Sequence, residues 1–243
     1  MEKKTKTIEF VGKGLLVHHE GKRIAVLSDL HLGYGESLRR SGYMVPSSSF
    51  REGFDDIKQF FEWTGKVDSV VILGDVKHYF GMILREEREE TFTLLDHFRK
   101  FAAEIVIIKG NHDAIIGPLL EGTGVKLCDY HIIGPYAFLH GDRDFEEIHE
   151  KHVKYWIVGH VHPAVELSDG TKRERYKCFL RGPYNGREVI VVPSLFSKSE
   201  GIDVLTQNLG LVWPVDAEKC QVLIVGEGRE PLDFGIARKI KGR

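Results

Sequence analysis

Five apolar runs in this chain end in side chains that bind cations or move protons. "VLSDLH" ends in Asp29 and His31, "VVILGD" in Asp75, "VIIKGNHD" in Asn111, His112 and Asp113, "AFLHGD" in His140, and "WIVGHVH" in His160 and His162. A carboxylate at the end of a buried strand is costly unless it is paired, hydrogen-bonded or metal-bound. Carboxylates and neutral imidazoles converging on one pocket therefore call for a cation. The set Asp29, His31, Asp75, Asn111, His140, His160 and His162 is too large for one tetrahedral ion and suits two ions sharing a bridging carboxylate. Nitrogen and oxygen donors without thiolate favour Mn, Fe, Zn or Co over the all-oxygen surroundings of Mg or Ca. Glycines stand directly before Asp75, Asn111 and His160, where they are expected to let the chain turn sharply and aim each side chain inward.

Convergence requires elements that bring these strand ends to one place. Short β-rich runs alternate with longer amphipathic segments, the pattern of layered α/β architecture. Strands are expected in "TIEFVG", "GLLVHH", "RIAVLSD", "SVVILGD", "EIVIIKG", "YAFLHG", "YWIVGH", "YKCFLRG", "REVIVVPS" and "QVLIVGE". "PSSSFREGFDDIKQFFEWTG" reads as a helix with Pro46 near its start, Phe50, Phe54, Ile57, Phe60 and Phe61 at helical spacing, and Gly65 closing it. "REEREETFTLLDHFRKFA" reads as a second helix whose charged start is expected to be solvated. Ligand sites of α/β sheets lie beyond the carboxyl ends of strands, so groups scattered in sequence can meet there.

Bulk properties exclude several classes. The 243 residues carry a formal net charge of -2, which gives no global pull toward nucleic acid. Cys128, Cys178 and Cys220 form no CxxC pair and are odd in number, so neither a disulfide framework nor a thiolate zinc site is suggested, and a reducing compartment is expected. "MEKKTKTIEF" has no apolar signal core, and no apolar stretch reaches the roughly 20 residues needed to cross a bilayer. A soluble cytoplasmic protein without membrane partners is expected. No repeat or linker divides the chain, so residues 1–243 are read as a single domain.

The ordered motifs Asp-x-His, Gly-Asp, Gly-Asn-His-Asp, His and Gly-His-x-His, spanning Asp29 to His162, resemble those of the calcineurin-like metallophosphoesterase superfamily. The resemblance implies an α/β (α+β) fold, a four-layer α/β/β/α sandwich of two mixed sheets flanked by helices, with a dinuclear site at the strand ends and residues 163–243 completing the second sheet. It implies that Asp75 bridges the ions, that Asp29, His31 and His162 complete one site, and that Asn111, His140 and His160 complete the other. Two divalent ions, Mn foremost, with Fe, Zn, Co or Ni as alternatives, would turn a bridging water into the hydroxide that attacks phosphorus in line. His112 is carried over as the group that protonates the leaving oxygen or stabilises the transition state, with the adjacent Asp113 as its orienter.

"GDVKHYF" and "GNHD" lack the Asp-Arg-Gly and terminal Glu of the superfamily's protein phosphatases. His78, three residues beyond Asp75, together with "DLHLGY" and "GYMVP", is similar to the DNA-repair branch, nearest the SbcD-related and ligase-associated PdeM-type phosphoesterases. That places His78 with His112 and Asp113 among the catalytic candidates. The residues after His162 are expected to be used up in strands that finish the second sheet rather than in the DNA-capping domain of the full repair nucleases, which speaks against long duplex DNA and for single-stranded DNA, RNA or small phosphodiesters as substrates. Two other classes remain: a hydrolase of small phosphoesters or nucleotides, and a non-catalytic interaction scaffold. His18, His19, His97, His131, His149 and His152 are read as ordinary surface or core residues, Arg39 and Arg40 as a solvated helix face, and "ARKIKGR" as a frayed terminus.

Overall fold

The computed structural model describes residues 7–44, 49–168 and 170–240. Strands β1 (Ile8–Val11), β2 (Gly14–His19), β3 (Lys22–Leu27), β4 (Ser69–Ile72), β5 (Glu104–Ile108) and β6 (Lys126–Cys128) form one sheet in sequence order. β1 to β3 are antiparallel, and β3 to β6 run parallel, so that Leu27 pairs with Ile72 and Ile72 with Ile107. The second sheet contains β7 (Tyr130–Ile133), β8 (Tyr136–Leu139), β9 (Tyr155–Val158), β10 (Pro163–Ser168), β11 (Arg173–Tyr184), β12 (Arg187–Val191) and β13 (Ile202–Asp203), in the order β13-β10-β11-β12-β9-β8-β7. β14 (Gln221–Ile224) and β15 (Leu232–Ile236) extend it beside β11. β8, β9 and β12 are mutually parallel in this otherwise largely antiparallel sheet.

Alternation along each strand explains the layering. In β4, Val70 and Ile72 face outward onto helices α2 (Ser49–Thr64) and α3 (Arg85–Phe98), while Val71 and the following Leu73 face the other sheet. The helices bring Ile57, Phe60, Phe61, Leu94, Leu95 and Phe98 to that outer face. Between the sheets, Val26, Val71 and Val106 pack in one core with Phe138, Ile157 and Ile190. Each such fully buried side chain stabilises the fold by about 1.5–3 kcal/mol. The outer face of the second sheet is thinner. Trp156, Val158 and Val191 are covered by Ile148, Leu209 and Trp213 from short turns and loops, and by the four-residue helix at Ala237–Ile240, rather than by full-length helices.

Sheet edges and short elements depart from the sequence reading. β6, β7, β10, β13 and β15 are strands that the sequence reading does not include; β6 and β13 are short, β7 and β10 half-buried and β15 largely exposed, so their apolar patterns are weak. Helix α3 ends at Phe98 instead of running on to Ala102, and the chain turns so that Phe101 stacks on Phe61 at 4.6 Å. The expected start of α2, Pro46 included, lies outside the described residues, as does Val45 of "GYMVP". Helix α1 (Tyr34–Arg40) packs on α3 through the Arg39–Glu86 ion pair, so Arg39 is engaged and not simply solvated. No helix among the described residues is long and apolar enough to cross a membrane, and all three cysteines are free thiols.

Candidate metal centre

Two sets of three parallel strands send their carboxyl ends to one place, β3, β4 and β5 from one sheet and β8, β9 and β12 from the other. The loops beyond them carry every expected site residue. Donor atoms of Asp29, His31 and His162 lie within 4.8 Å of one another, as do those of Asp75, His140 and His160. Asn111 joins the second group, its Oδ1 lying 3.0 Å from His140 Nε2. Asp75 stands between the groups, with Oδ2 3.8 Å from His31 Nε2 and Oδ1 3.5 Å from His140 Nε2.

The hydrogen-bond chemistry of these groups fits a cation pair. His140 Nδ1 lies 2.7 Å from the Leu73 carbonyl and donates its proton there. Its Nε2 is then a bare acceptor facing Asp75 Oδ1, Asn111 Oδ1 and, at 3.1 Å, His160 Nδ1. His31 Nε2 and His162 Nε2 meet in the same way at 3.2 Å. Acceptors packed this closely repel unless a proton or metal ion lies among them, and nitrogen with carboxylate oxygen is a donor set for divalent Mn, Fe or Zn.

The charges follow from burial. Burial alone would raise the pKa of Asp29, but the His162, His140 and His31 rings hold it well below the usual carboxylate range. Burial pushes Asp75 up to about 7, with the neighbouring Asp29 adding to the rise and His140 opposing it. Burial likewise pulls His31 and His160 down, while at His140 burial is outweighed by the Asp29 and Asp75 carboxylates, which push the ring up.

Backbone strain is concentrated here too. Asp29, His31, Asp75, His160 and His162 have φ of 50, 47, 49, 68 and 50°, five of the seven non-glycine residues with positive φ among those described. Such conformations cost on the order of 1–3 kcal/mol each and persist only where surrounding contacts enforce them. The glycines before the motifs act differently from expectation. Gly74 takes φ 92° and turns the chain, but Gly110 and Gly159 are needed for space. A Cβ would lie 2.2 Å from Asp75 Oδ1 at Gly110, and 2.1 Å from Ser28 Oγ at Gly159.

The catalytic candidates divide by position. His112 Nδ1 is 2.5 Å from the His78 carbonyl, its backbone N–H donates to Asp75 Oδ1 at 3.0 Å, and its Nε2 lies 3.9 Å from Asp75 Oδ2. His78 sits behind His31, Nδ1 to Nδ1 at 3.4 Å, where it can accept the proton that leaves His31 Nε2 unprotonated. Burial, with His112 and Lys77 close by, lowers the His78 pKa to about 4. Asp113 does not orient His112. Its buried carboxylate accepts from the backbone N–H groups of Val76, Lys77 and Gly110, tying the β4 and β5 loops together, and the orienting acceptor for His112 is the His78 carbonyl.

Several supporting residues carry no motif. Glu87, in the charged start of α3 that is expected to be solvated, is fully buried; it accepts from the N–H groups of His78, Tyr79 and Leu84 and lies 3.9 Å from the equally buried Lys77 Nζ. Beyond β12, Ser194 Oγ donates to the Asp29 carbonyl at 2.8 Å, and Ser199 Oγ lies 3.1 Å from His162 Nδ1. The available signal is the end of "REVIVVPS", a sixth apolar run finishing in polar residues. The six histidines read as ordinary residues fall outside the clusters found among the described residues: His18 pairs with Glu9, His149 with Asp144 and His152 with Glu150, while His97 packs among Phe54, Phe61 and Phe101.

Comparison with known proteins agrees with this geometry. Among solved structures, a nuclease MPE from Pseudomonas putida superposes with a TM-score of 0.57 at 18% identity, covering 90% of this chain and 100% of that one, a likeness of fold. A zinc complex of Vps29 from Entamoeba histolytica has 16% identity, coverage of 87% and 99%, and a TM-score of 0.39. A predicted phosphoesterase from Streptococcus pneumoniae has 16% identity, coverage of 87% and 97%, and a TM-score of 0.33; these last two superpositions are too loose to bear on the function of this chain. No curated protein matches the chain significantly. The profile of the calcineurin-like phosphoesterases, whose members hold a dinuclear divalent site, matches residues 22–149, more than half the sequence. The chain belongs to the calcineurin-like phosphoesterase family.

Proposed function

We propose that the protein is a cytoplasmic, single-domain, metal-dependent phosphodiesterase, a nuclease-like hydrolase of the SbcD-related and PdeM-type branch that works on single-stranded DNA, RNA or small diesters. The observation that carries this reading is the position of Asp75, one carboxylate oxygen facing each of two nitrogen-rich donor groups. Asp29, His31 and His162 would hold one divalent ion, and Asn111, His140 and His160 the other, with Asp75 shared and Mn as the native metal. Such a pair, when bound, makes water nucleophilic near neutral pH and offsets charge on the phosphoryl oxygens.

The chain's own residues supply the rest. His140 keeps its Nε2 lone pair on the site by committing Nδ1–H to the Leu73 carbonyl, and His78 does the same for His31. His112, its Nδ1–H held by the His78 carbonyl, presents Nε2 beside Asp75; it acts as a general acid only after Nε2 has taken up a proton from water, and the imidazolium so formed passes that proton to the departing oxygen and returns to the neutral ring. No side chain is needed as a nucleophile. The fold shared with a protein described as a nuclease supports the diester preference. A small-phosphoester hydrolase is the second reading, favoured by the net charge of -2 and by the engagement of Arg39 with Glu86.

The two readings separate on bis-p-nitrophenyl phosphate and p-nitrophenyl phosphate, given to metal-stripped protein resupplied with Mn. Metal-dependent cleavage of the diester is expected. Cleavage of the monoester alone would transfer the conclusion to the second reading, and inertness toward both would leave the fold as a scaffold.

A further inference from the structure

Phe80 is 62% exposed, yet it lies two residues beyond His78 and its ring packs on His112 with centroids 3.8 Å apart and planes tilted by 33°. A loose loop does not explain this. The N–H groups of Val76 and Lys77 are held by Asp113, and those of His78 and Tyr79 by Glu87, so the backbone leading to Phe80 is anchored at four consecutive residues. One face of the ring is against His112. The exposure of the rest leaves an aromatic surface in water beside the donor groups that would hold the metal pair, with Tyr79 and Met82 also exposed close by in the chain.

A nucleobase is the part of a phosphodiester substrate that matches such a surface. Bases stack on aromatic side chains without regard to sequence, and only an unpaired base offers a free face. Long duplex DNA would instead need a basic track, and neither the net charge nor the paired Arg39 provides one here. We propose that Phe80 is the stacking platform for the base adjoining the scissile phosphate, which makes unpaired nucleotide strands the substrate class. This rests on the phosphodiesterase reading above. The competing role for Phe80 is a mere apolar cover over His112, which a leucine would also provide.

Two variants separate these roles. Zinc-loaded Phe80→Trp is titrated with short oligothymidine and with an abasic oligomer of equal length, and its emission is compared with that of wild type, which carries Trp63, Trp156 and Trp213. Quenching by the base-bearing oligomer only is expected. In Mn-dependent hydrolysis, Phe80→Leu is expected to raise KM for oligothymidine about ten-fold, with kcat retained and the abasic oligomer unaffected. Equal losses on both oligomers, or emission from the Phe80→Trp variant that does not respond to the base, would overturn the platform and leave Phe80 as a cover. A wild-type protein inert toward every diester would overturn the phosphodiesterase reading itself, and the platform with it.

Discussion

At the residue scale, the nitrogens of one ring have separate duties. His31 turns Nε2 toward Asp75 and His162 while Nδ1 meets His78, so His78 acts on the centre through another imidazole. His78→Ala is expected to weaken binding of the first Mn by about 10–100-fold, measured by calorimetric titration, and to leave His112 oriented because the backbone carbonyl remains. His112→Ala should behave in the opposite way, losing about 10²–10⁴-fold in kcat with Mn affinity retained. If both variants lost metal equally, the assignment of His112 to proton transfer would be wrong. The convergence of Asp29, His31, Asp75, Asn111, His140, His160 and His162 is legible in the sequence because each follows an apolar run that ends abruptly. The orienting role expected of Asp113 is not seen because adjacency in sequence does not give direction: its carboxylate is taken up by the backbone N–H groups of Val76, Lys77 and Gly110.

At the scale of elements, the decisive feature is the loop from Leu73 to Leu84, held from two sides. Asp113 fixes its start, and Glu87 at the third position of α3 fixes its end through His78, Tyr79 and Leu84. Glu87→Ala would strip the Tyr79 and Leu84 N–H groups of their acceptor, leave the His78 N–H with the Leu32 carbonyl alone, and remove the carboxylate beside the fully buried Lys77 ammonium. A loss of about 3–5 kcal/mol in urea unfolding is expected, with Glu87→Gln recovering part of it by keeping an acceptor for the loop. A surface-like loss below about 0.5 kcal/mol would show that α3 does not hold the loop. Sequence could not reveal this, because a glutamate in the first turn of a charged helix looks the same whether it faces water or a neighbouring loop. The strands of the parallel core were legible because both of their faces are apolar; β13, with two residues, and the half-buried β7 give no comparable pattern.

For the whole molecule, the two sheets place the donor groups, and a bound cation pair would in turn tie the sheets together. Phe138 lies in the core between the sheets, and Phe138→Ala should cost about 3–5 kcal/mol without altering the chemistry of metal-loaded protein. Metal should stabilise in a pH-dependent way. Burial raises Asp75 to about 7, so in metal-free protein its contribution to stability is present below the unfolded carboxylate pKa and is lost as pH rises through about 7. Over that window protons cease to compete for the carboxylate, and the rise in Tm on adding Mn is expected to be larger at pH 8 than at pH 5 by differential scanning calorimetry. An equal rise at both would exclude Asp75 as a shared anion. The most direct test of the central claim is electron paramagnetic resonance of the protein loaded with two equivalents of Mn. An exchange-coupled pair in wild type, replaced by the six-line signal of isolated ions in Asp75→Asn, is the expected result; isolated ions in wild type at every loading would contradict a centre bridged by Asp75.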